Sequence, residues 1–273
     1  MSAGERSMTA RKGSSGEETG RRMSVKNAAG GVRMKDSEFR ILENREIARD
    51  VFRMVLDGEG ALITAPGQFV EIALPGRYLR RPISVCDWSD DTLTLIYKVV
   101  GGGTEDMSYL EEGEYLKLLL PCGNGYSIDR IPKNPVLAGG GAGVPPLYGL
   151  ARKLVESGQH PYAALGFNTR EDVFYEEEFR ALGIPVNVTT VDGSYGQKGF
   201  VTDILGDHHY AFCCGPEPML RAVHSRVQDG QFSFEARMGC GFGVCMGCSK
   251  KTKYGYKRIC KDGPILSWEE IVW

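Results

Sequence analysis

Four cysteines near the C-terminus, Cys240, Cys245, Cys248 and Cys260, stand at C-x4-C-x2-C-x11-C, with Gly241 and Gly243 between the first two. Three thiols within nine residues on a glycine-bearing loop, closed by a fourth further along, is how a chain encircles a compact inorganic cluster, because glycine lets backbone amides turn inward. The order is the plant-type spacing for a [2Fe-2S] centre. A four-cysteine zinc site is the alternative, although such sites usually present two close pairs and only Cys245 and Cys248 form one here. A Rieske centre needs two histidine ligands, and none of His160, His208, His209 and His224 lies near these cysteines in sequence.

The remaining chain bounds the function class. With 273 residues, 42% hydrophobic and 25% charged, it has material for two compact domains and a small appendage. A net charge of −2 argues against a nucleic-acid partner. No apolar run is long enough to cross a bilayer and no export signal is visible, so the expected compartment is the cytoplasm, with no membrane partner. Reduced thiols fit that reading better than disulfides, and Cys86, Cys122, Cys213 and Cys214 are expected mostly as small buried side chains.

Residues 1–34 are rich in Ser, Gly, Arg and Lys without apolar periodicity, and are expected to be a disordered extension. From 35 to 132 short strand patterns (Phe39 to Leu42, Val51 to Leu56, Gln68 to Leu74, Pro82 to Asp87, Thr92 to Val100, Tyr115 to Leu120) alternate with turn signals, which predicts an antiparallel β-barrel. From 133 to 228 strands at Val136 to Ala138, Tyr162 to Phe167, Val186 to Val191 and Tyr210 to Cys213 alternate with helical patterns, which predicts an α/β domain with a parallel sheet. Leu147, Leu150, Ala151, Leu154 and Val155 mark one helix face, and further helices are expected at Asp172 to Leu182, Gly199 to Leu205 and Glu217 to Val227. Residues 229–273 make up the cysteine module. The fold class is therefore a multi-domain β plus α/β chain.

Several loops suit phosphate. Gly139-Gly140-Gly141-Ala142-Gly143-Val144-Pro145-Pro146 joins a strand to a helix, where backbone amides and the helix N-terminus favour a pyrophosphate; a merely tight turn is the alternative. Cys214-Gly215-Pro216 occupies the equivalent edge later in the same domain. In the barrel, Arg81-Pro82-Ile83-Ser84 offers a guanidinium fork and a hydroxyl, and Gly101-Gly102-Gly103-Thr104 is either a phosphate loop or a hairpin turn. Arg170 follows a strand end where a 2′-phosphate could bind, which keeps NADP open beside NAD. The run Lys250, Lys251, Lys253, Lys257, Arg258, Lys261 is either a docking surface or a solvated loop offsetting thiolate charge.

Taken in order, R-P-I-S, I-Y-K, G-G-G-T, G-G-G-A-G-V-P-P and C-G-P resemble the ferredoxin-NADP reductase superfamily. The ending E-x-R-M-G-C-G-x-G-x-C-x-x-C…C, with P-G-Q-F at Pro66, G-N-G at Gly123, D-V-F-Y-E-E-E at Asp172 and D-G-S-Y-G at Asp192, is similar to electron-transfer subunits of class B dihydroorotate dehydrogenases. The resemblance spans residues from about 35 to 273. It implies FAD held by Arg81, Pro82, Ile83, Ser84, Ile96, Tyr97, Lys98, Gly103 and Thr104. It implies a [2Fe-2S] cluster on Cys240, Cys245, Cys248 and Cys260, and NAD at Gly139, Gly140, Gly141, Gly143, Cys214, Gly215 and Pro216. It also implies an FMN-containing catalytic partner, in a heterotetramer of two subunits of each kind, working in pyrimidine synthesis. No orotate site is recognisable in this chain. Cys122 stands where the family more usually has an apolar residue. The rival readings are a similar subunit serving a bifurcating ferredoxin:NADP oxidoreductase or an anaerobic sulfite reductase, and a nonenzymatic, zinc-stabilised flavin-binding module.

Overall fold

The computed structural model describes residue 1 and residues 34–129 and 131–273. The N-terminal stretch expected to be disordered lies outside them, apart from its two end residues. Six antiparallel strands close a barrel: β1 (Lys35–Ala48), β2 (Val51–Asp57), β3 (Phe69–Ala73), β4 (Arg81–Trp88), β5 (Thr92–Lys98) and β6 (Tyr115–Cys122), in spatial order β1-β2-β5-β4-β3-β6. Alternate residues of each strand face the interior, so Phe39, Ile41, Met54, Leu56, Val70, Ile72, Leu93, Leu95 and Leu118 form one dry core. β1 runs much further than its apolar pattern, because β2 pairs with its far half and β6 with its near half. The G-G-G-T segment is no hairpin turn: Thr104 Oγ1 accepts from the Val100 and Gly101 amides (2.9 and 3.2 Å) and opens the short helix α1 (Gly102–Ser108).

The second unit comprises β7 (Val136–Gly140), α2 (Pro145–Glu156), β8 (Tyr162–Phe167), α3 (Glu176–Ala181), β9 (Val186–Thr190), β10 (Gln197–Lys198), β11 (Tyr210–Cys214), α4 (Glu217–His224) and β12 (Asp229–Ser233). β13 (Ser249–Thr252) and β14 (Gly255–Arg258) form a hairpin, and β15 (Ile265–Ser267) ends the strands. The sheet order is β10-β9-β8-β7-β11-β12-β15, parallel except for β15. Leu147, Leu150, Ala151 and Leu154 of α2 pack on one face with Phe179 of α3, while Leu220 and Val223 of α4 cover the other.

Two expected helices are corrected. Residues Arg170–Asp172 form a single 3-10 turn, because the Asp172 carboxylate takes the Thr169 amide and Tyr175 is left-handed (φ 65°), so α3 starts only at Glu176. Val201–Ile204 is also a 3-10 turn, with the Phe200 amide donating to Asp203 Oδ2 (2.8 Å). The four strands after residue 228 carry little apolar alternation and escape a periodicity reading.

Candidate functional site

The cysteine loop is shaped by left-handed residues Gly241 (φ 74°), Gly243 (φ 87°) and Met246 (φ 62°), which turn successive amides toward sulfur. Val244 and Cys245 amides donate to Cys240 Sγ (3.3 and 3.4 Å), Gly247 to Cys245 Sγ (3.5 Å) and Cys260 to Cys248 Sγ (3.4 Å). Burial works against ionisation of Cys240, but these amides outweigh it and bring its thiol down to about 6. Cys260 is pushed up to about 12, by burial and then by the adjoining Cys248 thiol. Amide donation to sulfur is what stabilises a thiolate ligand.

The thiols influence one another's charge: Cys245 acts on Cys240, and both Cys248 and Cys240 act on Cys260. Among the described residues no group of three or more His, Cys, Asp or Glu side chains converges on a single ion position. Four thiols at the plant-type spacing, on a loop whose amides point at sulfur, suit a [2Fe-2S] centre. The loop is tied from both sides. Arg258 Nη1 donates to the Gly243 carbonyl (2.8 Å) while its Nε donates to Asp262 (2.8 Å). Asn124, central in G-N-G, bonds both the carbonyl and the amide of Ile265 (2.8 and 3.0 Å), and its own amide donates to the Gly263 carbonyl (2.6 Å). Sequence reasoning gave Asn124 no role; its position between two glycines was the available signal. Of the basic run, Lys250 pairs with Glu217 (2.9 Å), Lys257 with Glu270 and Arg258 with Asp262, so these three cations are spent within the chain.

The barrel abuts this loop. Glu71 of β3 is buried and its Oε1 has no hydrogen-bond partner among the described residues. A Cβ on Gly241 would stand 2.2 Å from that oxygen, so carboxyl and loop are in close contact. Burial lifts Glu71 to about 7, with Arg80 and Arg81 opposing and Cys240 adding to the rise. Glu71 is in register with Pro82 of R-P-I-S, which sets that tetrapeptide one strand away from the cysteines.

Arg81 lies directly over Gly103: a Cβ there would come within 1.9 Å of Arg81 Nε, so only glycine admits the guanidinium. Arg77 joins it by donating to the Gly102 carbonyl (3.0 Å) and to Asp106. The Arg81 guanidinium over the first turn of α1, beside an Arg77 whose charge Asp106 takes up, forms a cradle whose donors fit the pyrophosphate of a dinucleotide such as FAD. Ile83 packs toward the barrel core and Ser84 alternates away from it. Strand alternation also splits the I-Y-K residues. Tyr97 turns into the barrel, stacked on Phe52 (5.7 Å) and donating to Asn44 Oδ1 (2.9 Å), so its ring is committed to packing. Ile96 and Lys98 face the second unit instead.

Between the two units opens a cleft of about 460 Å³, lined by Gly140, Gly141, Ala142, Phe167, Asn168, Pro216 and Met219 and by Lys98 from the barrel. The two strand-to-helix loops interlock at its floor: a Cβ on Gly143 would lie 2.2 Å from the Cys214 carbonyl oxygen. Open glycine backbone over a parallel sheet's carboxyl edge fits a dinucleotide. Cys214 itself is buried beneath, and burial first, then Glu235, pushes its thiol up to about 12, so it is a packing thiol rather than a nucleophile. Cys122 behaves likewise, buried with Sγ donating to the Leu119 carbonyl (3.3 Å), which answers for an apolar residue. Arg170 lies over the Tyr195 ring (5.7 Å), with its amide on Ser194 Oγ (2.8 Å).

Residues 235–272 match the family described as the iron-sulfur cluster binding domain of dihydroorotate dehydrogenase B. The electron transfer subunit of dihydroorotate dehydrogenase B (NAD(+)) from a Geobacillus species is 40% identical, covering 88% of this chain and 99% of that one. The subunit of the same name from Fusobacterium nucleatum is 41% identical, over 87% and 99%. Among solved structures, the NADH-dependent reduced ferredoxin-NADP oxidoreductase superposes with a TM-score of 0.79 at 30% identity, covering 86% of this chain and 90% of that one. An Amycolatopsis cytochrome P450 reductase gives 0.61 at 25% identity, over 73% and 69%. With the cysteine loop, the arginine cradle and the glycine cleft in one chain, and with relatives matched over nearly their whole length, the chain belongs to the family of electron transfer subunits of dihydroorotate dehydrogenase B (NAD(+)).

Proposed function

We propose that this chain carries electrons from the FMN of a dihydroorotate-oxidising catalytic subunit to NAD, by way of a [2Fe-2S] cluster and FAD, in pyrimidine synthesis. The observation that carries the reading is the order of the three sites: the cysteine loop touches β3 through Glu71 and Gly241, R-P-I-S is on the neighbouring strand, and the glycine cleft opens beside the end of β5. Flavin exchanges electrons singly or in pairs, which is why it belongs between a one-electron cluster and a two-electron nicotinamide.

The residues have separable tasks. Cys240, Cys245, Cys248 and Cys260 ligate the cluster, with loop amides stabilising thiolate charge. Arg81, Gly103 and Thr104 hold the flavin's phosphates, Pro82, Ile83, Ser84 and Ile96 shape the wall beside its ring, Tyr97 contributes through backbone alone, and Lys98, expected at the flavin, instead lines the nucleotide cleft. Gly139, Gly140, Gly141, Gly143, Gly215 and Pro216 admit NAD, above a Cys214 that packs the floor. Residues 35–132, 133–228 and 229–273 act as flavin, nucleotide and cluster domains, the last continuous with the nucleotide sheet through β12 and β15.

Val244 and Met246, 73% and 52% exposed, flank the exposed Cys245, and we assign this apolar rim to the catalytic subunit, in a heterotetramer of two copies of each. Thiols that must stay reduced support a cytoplasmic assembly. No helix among the described residues is long and apolar enough to cross a membrane.

The test is reconstitution. Alone, the chain should oxidise NADH with artificial acceptors and show no dihydroorotate-dependent NAD reduction; the FMN-bearing subunit should create that activity. Coupling instead to ferredoxin, with none to the dihydroorotate-oxidising subunit, would move the chain to the bifurcating reading.

A further inference from the structure

Among the contacts that join the barrel to the nucleotide unit, two differ in kind. One is packed: α2 lies on β4, where a Cβ on Gly149 would stand 2.7 Å from the Cys86 carbonyl, and Arg152 donates to Asp87 and to the Trp88 carbonyl. The other is charged. Asp172, 5% exposed, sits in the 3-10 turn after β8, and both its oxygens accept from Nη2 of Arg49, in the barrel's β1–β2 turn (3.0 and 2.9 Å). Lys98 Nζ, from the end of β5, lies 3.5 Å from the same carboxylate. Arg49 also reaches Glu171 (2.7 Å) and Thr169 Oγ1 (3.2 Å), and its backbone amide donates to the Glu171 carbonyl (3.0 Å).

One carboxylate of the nucleotide unit therefore gathers two cations of the barrel. Burial opposes ionisation of Asp172, but Arg49, Thr169 and Lys98 together hold it below the usual carboxylate range, so it is charged at neutral pH. Asp172 and Lys98 line the cleft, whereas Arg49 is not among its lining residues. Arg49 is shared between Asp172 and Glu171, so the clasp is closed within itself, and it holds the Lys98 ammonium at the wall of the cleft that Gly140, Gly141 and Ala142 also line.

We propose that the Arg49–Asp172 clasp is a positioning device for the nicotinamide dinucleotide: it sets how the nucleotide unit faces the barrel and holds the Lys98 ammonium where an anionic pyrophosphate would lie. Arg49 acts through Asp172 and Lys98 and is a positioning residue. The inference rests on reading the cleft as the dinucleotide site.

The experiment uses the full chain with flavin and cluster bound, titrated calorimetrically with NAD, which leaves the oxidised protein unreacted. Arg49→Ala should weaken NAD about tenfold, within the range for coupling between separated groups. Arg49→Lys, which keeps the charge, should recover most of the loss. Hydrogen exchange should show faster opening of the backbone amide at position 49 in Arg49→Ala, while flavin content and the thermal midpoint stay near wild type. Should Arg49→Ala fail to fold, Asp172→Asn is titrated in its place, with the same expected loss. NAD affinity equal to wild type in either variant overturns the clasp alone. A wild-type protein that binds no NAD overturns the cleft reading instead.

Discussion

Every donor of the cluster site falls between Cys240 and Cys260, whereas the nucleotide cleft draws its walls from Val51 to Ala222. The cluster loop is short, half-exposed and held by amides on sulfur and by the Asn124 and Arg258 tethers, with little core of its own. The cleft floor is the opposite, with glycine loops wedged over a fully buried β7 and β11. A ligand bound by covalent coordination needs little support from the fold, since the metal itself organises the loop. A ligand bound through backbone amides and shape needs a rigid sheet beneath it.

That contrast can be broken most sharply at Cys248. Cys248→Ser should eliminate the intact cluster, read as lost iron, labile sulfide and reduced-state EPR signal, while the NADH-to-dye reaction is largely kept; a normal cluster in this variant would remove Cys248 from the ligand set. Next in size, Arg81→Ala should weaken FAD by about 1.5–3 kcal/mol, the range for hydrogen bonds to a charged group. Flavin retention is the measurement, and an unchanged value excludes Arg81 from the cradle.

Gly143→Val sharpens the other side. Its added carbon meets the Cys214 backbone, and overpacking of this kind costs about 1–3 kcal/mol, visible as a lowered thermal midpoint with weaker NAD binding and unchanged iron. Asn124→Ala should do the reverse, loosening the segment after Cys260 by about 1–2 kcal/mol and shortening cluster lifetime in air while NAD affinity holds. If both variants lost cluster and NAD together, the two sites would not be separately built.

The smallest expected effect is with pH. Asp172 has a depressed pKa in the folded chain, so its contribution is complete above the unfolded carboxylate value of about 3.9 and is lost only as pH falls through the lower folded value. NAD affinity should therefore show no step attributable to the clasp between about pH 5 and 9, and a step in that window that vanishes in Asp172→Asn would contradict the assignment.

The ligand loop, the barrel strands and the strand–helix alternation were legible in the chain because each is encoded over a few neighbouring residues: thiol spacing, period-two alternation, glycines at strand ends. The motif resemblance supplied the family as well. What local pattern could not reveal is whatever depends on residues far apart in sequence meeting in space. Tyr97, inside a motif, turns its ring into the barrel because its neighbours on β5 face the other way. Asp172 stops a helix that its sequence favours because Thr169 and a barrel arginine claim its carboxylate. The basic run near the cluster is half neutralised by Glu217, Glu270 and Asp262. Sequence determines the donor chemistry here, since coordination and periodicity are short-range; the tertiary structure alone decides which charges are paired and how the two units face each other, since Coulomb contacts and burial are set by distances that only folding creates.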